Sequence, residues 1–190
     1  MRAIGYFNFY RQNLFLSATR CWIFFLSIAI ILECIGSAHA LDTKPLSIPE
    51  LTMRSDVIAI GTITSVAGDW NSNRTAIYTR MDLKVEERLK GTDLEDKISF
   101  FQLGGSVGDT VSAVAGAAPF RPGERVAVFL YKDREQRLQL VGLFQGKFSV
   151  EKRPGSEGEI AVRRIPEVAK PLDEMPLERL KNLVQTAPVK

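Results

Sequence analysis

Apolar and charged residues alternate along residues 75–89. The odd positions Ile77, Met81, Leu83, Val85 and Leu89 are apolar, whereas the even positions Arg80, Asp82, Lys84, Glu86 and Arg88 are charged. A period of two over this length predicts a β-strand. The stretch 57–66 is rich in β-branched residues around one glycine, Gly61, which predicts another strand with a bulge or bend at that glycine.

Shorter β patterns follow in five more segments, namely 97–103, 125–131, 137–143, 146–151 and 159–164. Turn dipeptides separate the predicted strands, namely Lys90-Gly91, Pro122-Gly123 and Pro154-Gly155. The last two strands flank residues 153–158 and are predicted to form a hairpin. Residues 104–121 are mostly Gly, Ala, Ser and Val with little charge, and we expect a long loop there with a weak strand near 110–114.

Helical signals occur near both ends of this β-rich region. Ser47 and Glu50 have capping-box spacing, which predicts a short helix over 47–55. Three prolines mark 166–176 as a tether with little secondary structure. A terminal helix follows, and its apolar stripe consists of Leu177, Leu180, Leu183 and Val184. We expect this stripe to pack on the β domain; the alternative is a helix that binds a partner.

The first forty residues have the order of a secretory signal. Three arginines precede or flank an apolar run at 22–32, and the segment ends with Ala38-His39-Ala40. The run has eleven residues, whereas about twenty are needed to cross a bilayer. This favours cleavage after Ala40 over a retained membrane anchor, and it predicts a periplasmic or extracellular protein.

Cleavage would remove every cysteine and the one histidine of the chain, which are Cys21, Cys34 and His39. A chain without thiols or imidazoles excludes disulfides, thiol nucleophiles, histidine bases and Cys/His metal sites. Three of the 25 basic residues and one of the 22 acidic residues lie in the same segment, which leaves a net charge of +1 for the rest. This balance argues against nucleic acid as a partner.

One segment matches a catalytic motif. Gly104-Gly105-Ser106-Val107-Gly108 has the G-x-S-x-G pattern of a nucleophilic serine. The mature chain has no histidine to act as the base, and no apolar helix follows the motif. A Ser-Lys arrangement with Lys97 or Lys147 stays open, but a glycine-rich turn is the favoured interpretation.

Two other features suggest sites of their own. Asp93, Glu95 and Asp96 cluster after a turn, but they lack the central glycine of a calcium loop, and we interpret them as a solvated turn. Most of the aromatic residues after the leader lie in predicted strands, where we expect core positions. Trp70 lies in the polar stretch 68–73, where it either closes one end of a barrel or belongs to a recognition surface.

The segments 55–63, 78–91 and 120–130 together resemble the OB-type barrel of netrin-like and tissue-inhibitor-of-metalloproteinase domains. The chain resembles still more a group of exported bacterial proteins of unassigned function, which share Phe-Gln-Leu-Gly-Gly, here 101–105, and Gln-Gly-Lys-Phe, here 145–148. The resemblance covers about residues 50–150 and implies a barrel with an extracellular binding role. The tissue inhibitors' N-terminal cysteine has no counterpart, because the mature chain would begin Leu41-Asp42.

These observations predict a mostly β fold: an OB-like five-stranded barrel extended by a β-hairpin, with a short N-terminal helix and a C-terminal helix. Residues 1–40 form the signal peptide, 41–165 the barrel domain, and 166–190 the tether and terminal helix. We expect no enzymatic activity and no cofactor.

The expected role is a binding module that recognises an extracytoplasmic protein through loops 67–74 and 104–121. The residues predicted to contact that partner are Trp70, Asn71, Gly104, Gly105, Phe120 and Arg121. A cell-wall glycan or another oligosaccharide is the alternative ligand, since OB folds accommodate such chains. A Ser- or carboxylate-based hydrolase is the third hypothesis. Aromatic residues clustered beside carboxylates would favour the glycan, and a flat apolar loop rim would favour the protein.

Overall fold

The computed structural model describes residues 45–92, 95–155, 158–166, 168 and 171–188, so the predicted signal peptide lies outside the described residues. Helix α1 spans Ile48–Arg54, and α2 spans Leu177–Gln185. The strands are β1 Val57–Trp70, β2 Ile77–Lys90, β3 Lys97–Leu103, β4 Gly105–Val107, β5 Thr110–Ser112, β6 Arg125–Lys132, β7 Leu138–Leu140, β8 Lys147–Lys152, β9 Glu159–Arg164 and β10 Pro171–Pro176. A 3₁₀ turn covers Leu143–Gly146.

Five strands close into a ring. The order around it is β1, β2, β3, β7 and β6, and β6 pairs back to β1. All pairs in the ring are antiparallel except β3 with β7, which run parallel. Strands β8, β9 and β10 continue the sheet from β6. This ring, with its β8–β9 hairpin and a helix near each end, confirms the predicted OB-like barrel.

Gly61 allows the longest strand pair to bend. The pairing of β1 with β2 shifts register between Ile60 and Gly61. A Cβ atom at Gly61 would lie 2.1 Å from the carbonyl oxygen of Lys84, so a larger residue would displace the neighbouring backbone. The predicted bulge at this glycine is therefore confirmed.

The barrel interior forms one apolar core. Its central side chains alternate along the strands with residues that point outward, and they include Ala59, Ile63, Met81, Leu83, Phe100, Val126, Val128 and Leu130. Phe120 closes against this core, with its ring edge-on to Phe100 at 5.4 Å between centroids. Burial of this set removes apolar surface from water, which is the main stabilising contribution available to a domain without disulfides.

A second core lies outside the barrel wall. Here the outward side chains of β1 and β6, among them Ile58, Ile60 and Phe129, pack against both helices. Helix α1 begins at the predicted capping box, in which the Glu50 carboxylate accepts from the Ser47 amide at 2.8 Å. Leu177, Leu180 and Val184 of α2 are buried in the same core, which confirms the prediction that this helix packs on the β domain.

The structure differs from the predicted elements at the ends of two strands. Strand β7 stops at Leu140, because Gly142 adopts a left-handed conformation and a 3₁₀ turn follows. Strand β1 runs to Trp70, so the prediction of a loop from residue 67 was wrong over 67–70. A weak strand near 110–114 is confirmed over Thr110–Ser112.

The predicted tether was also wrong, because Pro171–Pro176 forms β10 and pairs with β9. The prolines stand at its two ends on the last strand of the sheet, where missing N–H groups are tolerated. The buried Arg163 guanidinium anchors the strand through Asp173, with Nε to Oδ2 at 2.6 Å. Within the described part of the chain, neither helix has the length and apolar character needed to span a membrane.

Candidate functional site

The outer surface of β2 and β3 carries aromatic residues. Tyr78 pairs with Leu103, and Arg80 pairs with Phe101, across the antiparallel ladder. Their chain neighbours Ile77, Met81 and Phe100 are buried in the interior. Because side chains alternate along a strand, Tyr78, Arg80, Phe101 and Leu103 face outward together.

The same outward row continues across two further strands. Phe101 pairs with Gln139 of β7, and Gln139 pairs with Tyr131 of β6. Tyr131 and Leu103 are 38% and 41% exposed, which places them among the large apolar side chains that the fold leaves uncovered. Four adjacent strands therefore present Arg80, Phe101, Gln139 and Tyr131 in one line.

Two adjoining depressions follow this row, and together we call them the outer groove. The first has a volume of about 610 Å³ and is lined by Trp70, Tyr78 and Phe101 between residues 71–73 and residues 135–137. The second, of about 350 Å³, is lined by Leu103, Tyr131 and Gln139. Tyr78, Phe101 and Arg137 line both. Volumes of about 300–1,000 Å³ are usual for ligand sites, and this face is the one that OB folds use to bind oligonucleotides and oligosaccharides.

Asn71 shapes the turn at one end of the groove. Its Oδ1 accepts from the backbone amides of Thr75 and Ala76 at 2.8 and 3.1 Å, and its Nδ2 donates to Thr75 Oγ1 at 2.9 Å. These bonds use the side chain to hold the β1–β2 turn beside Trp70. Asn71 is therefore a positioning residue for the groove wall.

Asp133 shapes the turn at the other end. Its carboxylate accepts from the Arg137 guanidinium at 3.0 Å and from Gln139 Nε2 at 2.9 Å. Desolvation opposes the charged form, but hydrogen bonds from Arg137, Gln139 and the Glu135 amide outweigh it and lower the pKa of Asp133 to about 2. Arg137 is thereby held with its guanidinium carbon 5.6 Å from the centre of the Tyr78 ring, within cation–π range.

Two of the six residues predicted to contact a partner line the outer groove: Trp70 and Asn71. Gly104 and Gly105 line a separate depression of about 500 Å³ at the end of the barrel, together with Phe120. Gly104 is buried, and its carbonyl oxygen accepts from Thr79 Oγ1 at 2.7 Å. The two predicted loops therefore do not contribute to one continuous depression.

Arg121 lines a third depression of about 330 Å³, beside Lys147 and Glu124. The Lys147 ammonium lies 2.7 Å from a Glu124 carboxylate oxygen and 4.5 Å from the centre of the Phe120 ring. Burial lowers the pKa of Lys147 against the opposing effect of Glu124. The lysine also donates to the Pro119 carbonyl, so it ties residues 119–124 to β8.

The G-x-S-x-G segment does not form a nucleophile elbow. Ser106 lies in the middle of β4, opposite Val111 of β5, whereas the elbow is a turn from a strand into a helix. The two candidate lysine bases are paired elsewhere, Lys97 with Asp82 at 3.2 Å and Lys147 with Glu124. The glycine-rich turn interpretation agrees with this placement.

The acidic turn offers no metal centre among the residues described. No group of three or more His, Cys, Asp or Glu side chains there is placed to hold a metal ion. Asp93 lies outside the described residues, and Asp96 is 3.6 Å from the Arg88 guanidinium. An ion pair on a solvated turn accounts for the Asp96 carboxylate.

Sequence reasoning missed Tyr78, Phe101 and Tyr131, which it assigned to the core with the other strand aromatics. The sequence did contain a signal for their outward orientation, namely the odd or even position of each residue in its strand. Phe100 and Phe101 are adjacent in one strand, so only one of them can face the interior. Tyr78 is likewise out of phase with the apolar positions Ile77 and Met81.

A scan against protein-family models and a search of curated proteins give no match for this chain. The resemblance to netrin-like and tissue-inhibitor domains stays a prediction. Shared barrel topology carries no function by itself, since OB folds support many unrelated activities. Function is therefore inferred from the outer groove.

Proposed function

We propose that this protein is an exported, non-enzymatic binding module that takes a carbohydrate chain in the outer groove. The observation that carries the proposal is the lining of the outer groove, which includes the half-buried aromatic residues Trp70, Tyr78 and Phe101 together with Asp69 and Glu135. A pyranose ring has apolar C–H faces and hydroxyl edges. Flat aromatic rings suit the faces, and carboxylates with a guanidinium suit the edges.

The position of the groove supports a ligand that lies along the surface. It runs between the β1–β2 and β6–β7 turns, and both turns are held by side-chain hydrogen bonds, from Asn71 and Asp133. Turns that are already ordered lose little entropy when a ligand binds. The groove is thus organised before its ligand arrives.

A protein partner at residues 104–121 has less support. Val111, 73% exposed, is the one large hydrophobic side chain in that described segment that is strongly exposed. A flat apolar rim, the feature expected for protein recognition, needs several such residues. The protein remains the competing outcome of the binding experiment.

Asp133, the carboxylate of the groove that accepts the most hydrogen bonds, does not have the electrostatic environment of the general acid of a glycosidase. A general acid needs a carboxyl group with a raised pKa. The hydrogen bonds to Asp133 lower its pKa to about 2 despite the opposing desolvation, so it stays ionised at neutral pH. This supports binding without hydrolysis.

Binding can be tested by affinity electrophoresis in gels that contain soluble polysaccharides. Trp70→Ala should weaken retention at least about fivefold, which corresponds to the about 1 kcal/mol or more expected for an anchoring tryptophan. Val111→Ser is the matched control on the other predicted loop and should not change retention. The carbohydrate proposal would be wrong, and a protein would be the ligand, under a different result. In that result no polysaccharide retains the wild type, a protein partner is recovered with it, and Val111→Ser loses that partner.

Export has its own test. The Arg-flanked apolar run that ends in Ala38-His39-Ala40 supports cleavage after Ala40. N-terminal sequencing of protein from the periplasm or the medium should begin at Leu41. Recovery of the intact N-terminus in a carbonate-resistant membrane pellet would contradict it.

A further inference from the structure

The two depressions of the outer groove form one path. Tyr78, Phe101 and Arg137 line both of them, so a ligand leaving the first passes directly into the second. Trp70 lines only the first, and Tyr131 lines only the second. Each depression thus has one aromatic lining residue that the other lacks, in addition to Tyr78 and Phe101, which the two share.

The length of the path indicates the size of the ligand. Arg80, Phe101, Gln139 and Tyr131 occupy four neighbouring strands. Neighbouring strands lie about 4.8 Å apart, so three spacings give this row a length of about 14 Å along the curved outer surface of the barrel. One sugar ring does not cover that distance. A ligand that follows the whole row from Arg80 to Tyr131 is therefore an oligomer.

The charges of the path indicate the chemistry of the ligand. Among the described residues that line it, the cations are Arg80 and Arg137, and the acids are Asp69, Asp133 and Glu135. Arg137 is paired with Asp133 at 3.0 Å and with Glu135 at 3.1 Å. Arg80 lies 3.6 Å from Asp82. Both guanidinium groups therefore already face carboxylates, and the lining has one negative charge in excess.

We infer that the outer groove binds an uncharged polysaccharide laid across β2, β3, β7 and β6, with Tyr131 as the platform farthest from Trp70. This inference rests on the proposed carbohydrate function and specifies its substrate class. An acidic polysaccharide would meet an excess of carboxylates and would have to displace existing ion pairs. An uncharged chain uses the same guanidinium and carboxylate groups as hydrogen-bond partners without that cost.

Calorimetric titration with oligosaccharides of one to six units tests the inference. The uncharged probes are cello-oligosaccharides and N-acetylglucosamine oligomers, and galacturonate oligomers are the acidic probe. Affinity for at least one uncharged series should rise about tenfold or more between two and five units. Galacturonate oligomers of equal length should bind at least about tenfold more weakly.

Tyr131→Ala tests the second depression separately from the first, because Tyr131 lines only the second. This outward, exposed residue should be removable without unfolding, and the variant should lose the gain in affinity between two and five units. Met53→Ala, at an exposed apolar position on α1, is the control and should match the wild type throughout.

The outcomes distinguish this inference from the proposal beneath it. Binding of short uncharged sugars with no gain from length, or a gain that survives Tyr131→Ala, would overturn the extended path alone. Tighter binding of galacturonate would overturn the uncharged class alone. Failure of all three series to bind would overturn the carbohydrate function itself.

Discussion

The barrel has two outer faces with apolar side chains, and the residues that the structure describes cover only one of them. On the β1–β6 face, Ile58, Ile60 and Phe129 lie under α1 and α2 and are fully buried. On the β2–β3–β7 face, Tyr78 and Phe101 line an open groove. Both faces belong to the same closed sheet.

The difference separates stability from recognition. A covered apolar side chain contributes to folding through its burial. An uncovered group of aromatic residues contributes little to folding and is typical of a surface that binds something. The outer groove is therefore where a substitution should alter binding without altering the fold.

Alanine substitutions of three phenylalanines should give the largest difference in stability between covered and uncovered positions. Phe100 faces the interior, Phe129 lies under the helices, and both are 0% exposed. Replacing either by alanine should lower the free energy of unfolding by about 3–5 kcal/mol. Phe101→Ala should cost about 1 kcal/mol or less, because its ring is already partly in water.

Urea denaturation of the three variants measures this contrast. Phe100 and Phe101 form a matched pair, since they are adjacent in one strand and differ in the side of the sheet they face. Equal losses for Phe100→Ala and Phe101→Ala would mean that the outer groove is filled in solution by another part of the molecule.

The sequence contained enough to predict the covered parts of this structure. The alternation in 75–89, the capping box at Ser47 and the stripe on the terminal helix are local patterns, and each matches an element that formed. The open face is different. Parity shows that Phe101 points away from Phe100, but whether anything covers Phe101 depends on where α1, α2 and β8–β10 pack.

Strand β10 shows the same limit. Its prolines, Pro171 and Pro176, predict irregular structure when only the local sequence is considered. Its pairing depends on β9 and on the buried Arg163 that meets Asp173. Contacts of this kind join distant segments and leave little trace in a local pattern.

The pH response of Asp133 is a smaller effect confined to the open face. Its pKa in the folded protein is lowered to about 2 from the usual 3.8. A lowered carboxyl pKa contributes stability that is complete above the unfolded value and is lost as the pH falls towards the folded value. The contribution of Asp133 to the stability of the folded protein should therefore be constant from pH 7 to about 4 and should be lost only as the pH approaches 2.

Two measurements check this prediction. An NMR titration of the Asp133 carboxyl carbon should have its midpoint near pH 2, and Asp133→Asn should weaken oligosaccharide binding several-fold at pH 7 because Arg137 loses one of its two carboxylate partners. A midpoint near 4 would mean that the hydrogen bonds at this turn do not form in solution.

The smallest expected effect is at Ser106. The side chain of Ser106 in β4 is exposed, and the residue lines neither depression of the outer groove, so Ser106→Ala should change the free energy of unfolding by less than about 0.5 kcal/mol. Oligosaccharide affinity should also be unchanged. Loss of a hydrolytic activity in this variant alone, with its stability preserved, would revive the serine hydrolase hypothesis.

The most direct test of the account is an NMR map of the two faces as an uncharged pentasaccharide is added to the protein. We predict shift changes in Trp70, Tyr78, Phe101 and Tyr131, and in the amides next to them. Residues of the core beneath the helices and on their buried sides, such as Ile60 and Leu180, should not shift. Changes confined to α1 and α2, or to residues 104–112, would contradict the claim that the uncovered face of the barrel is the binding site.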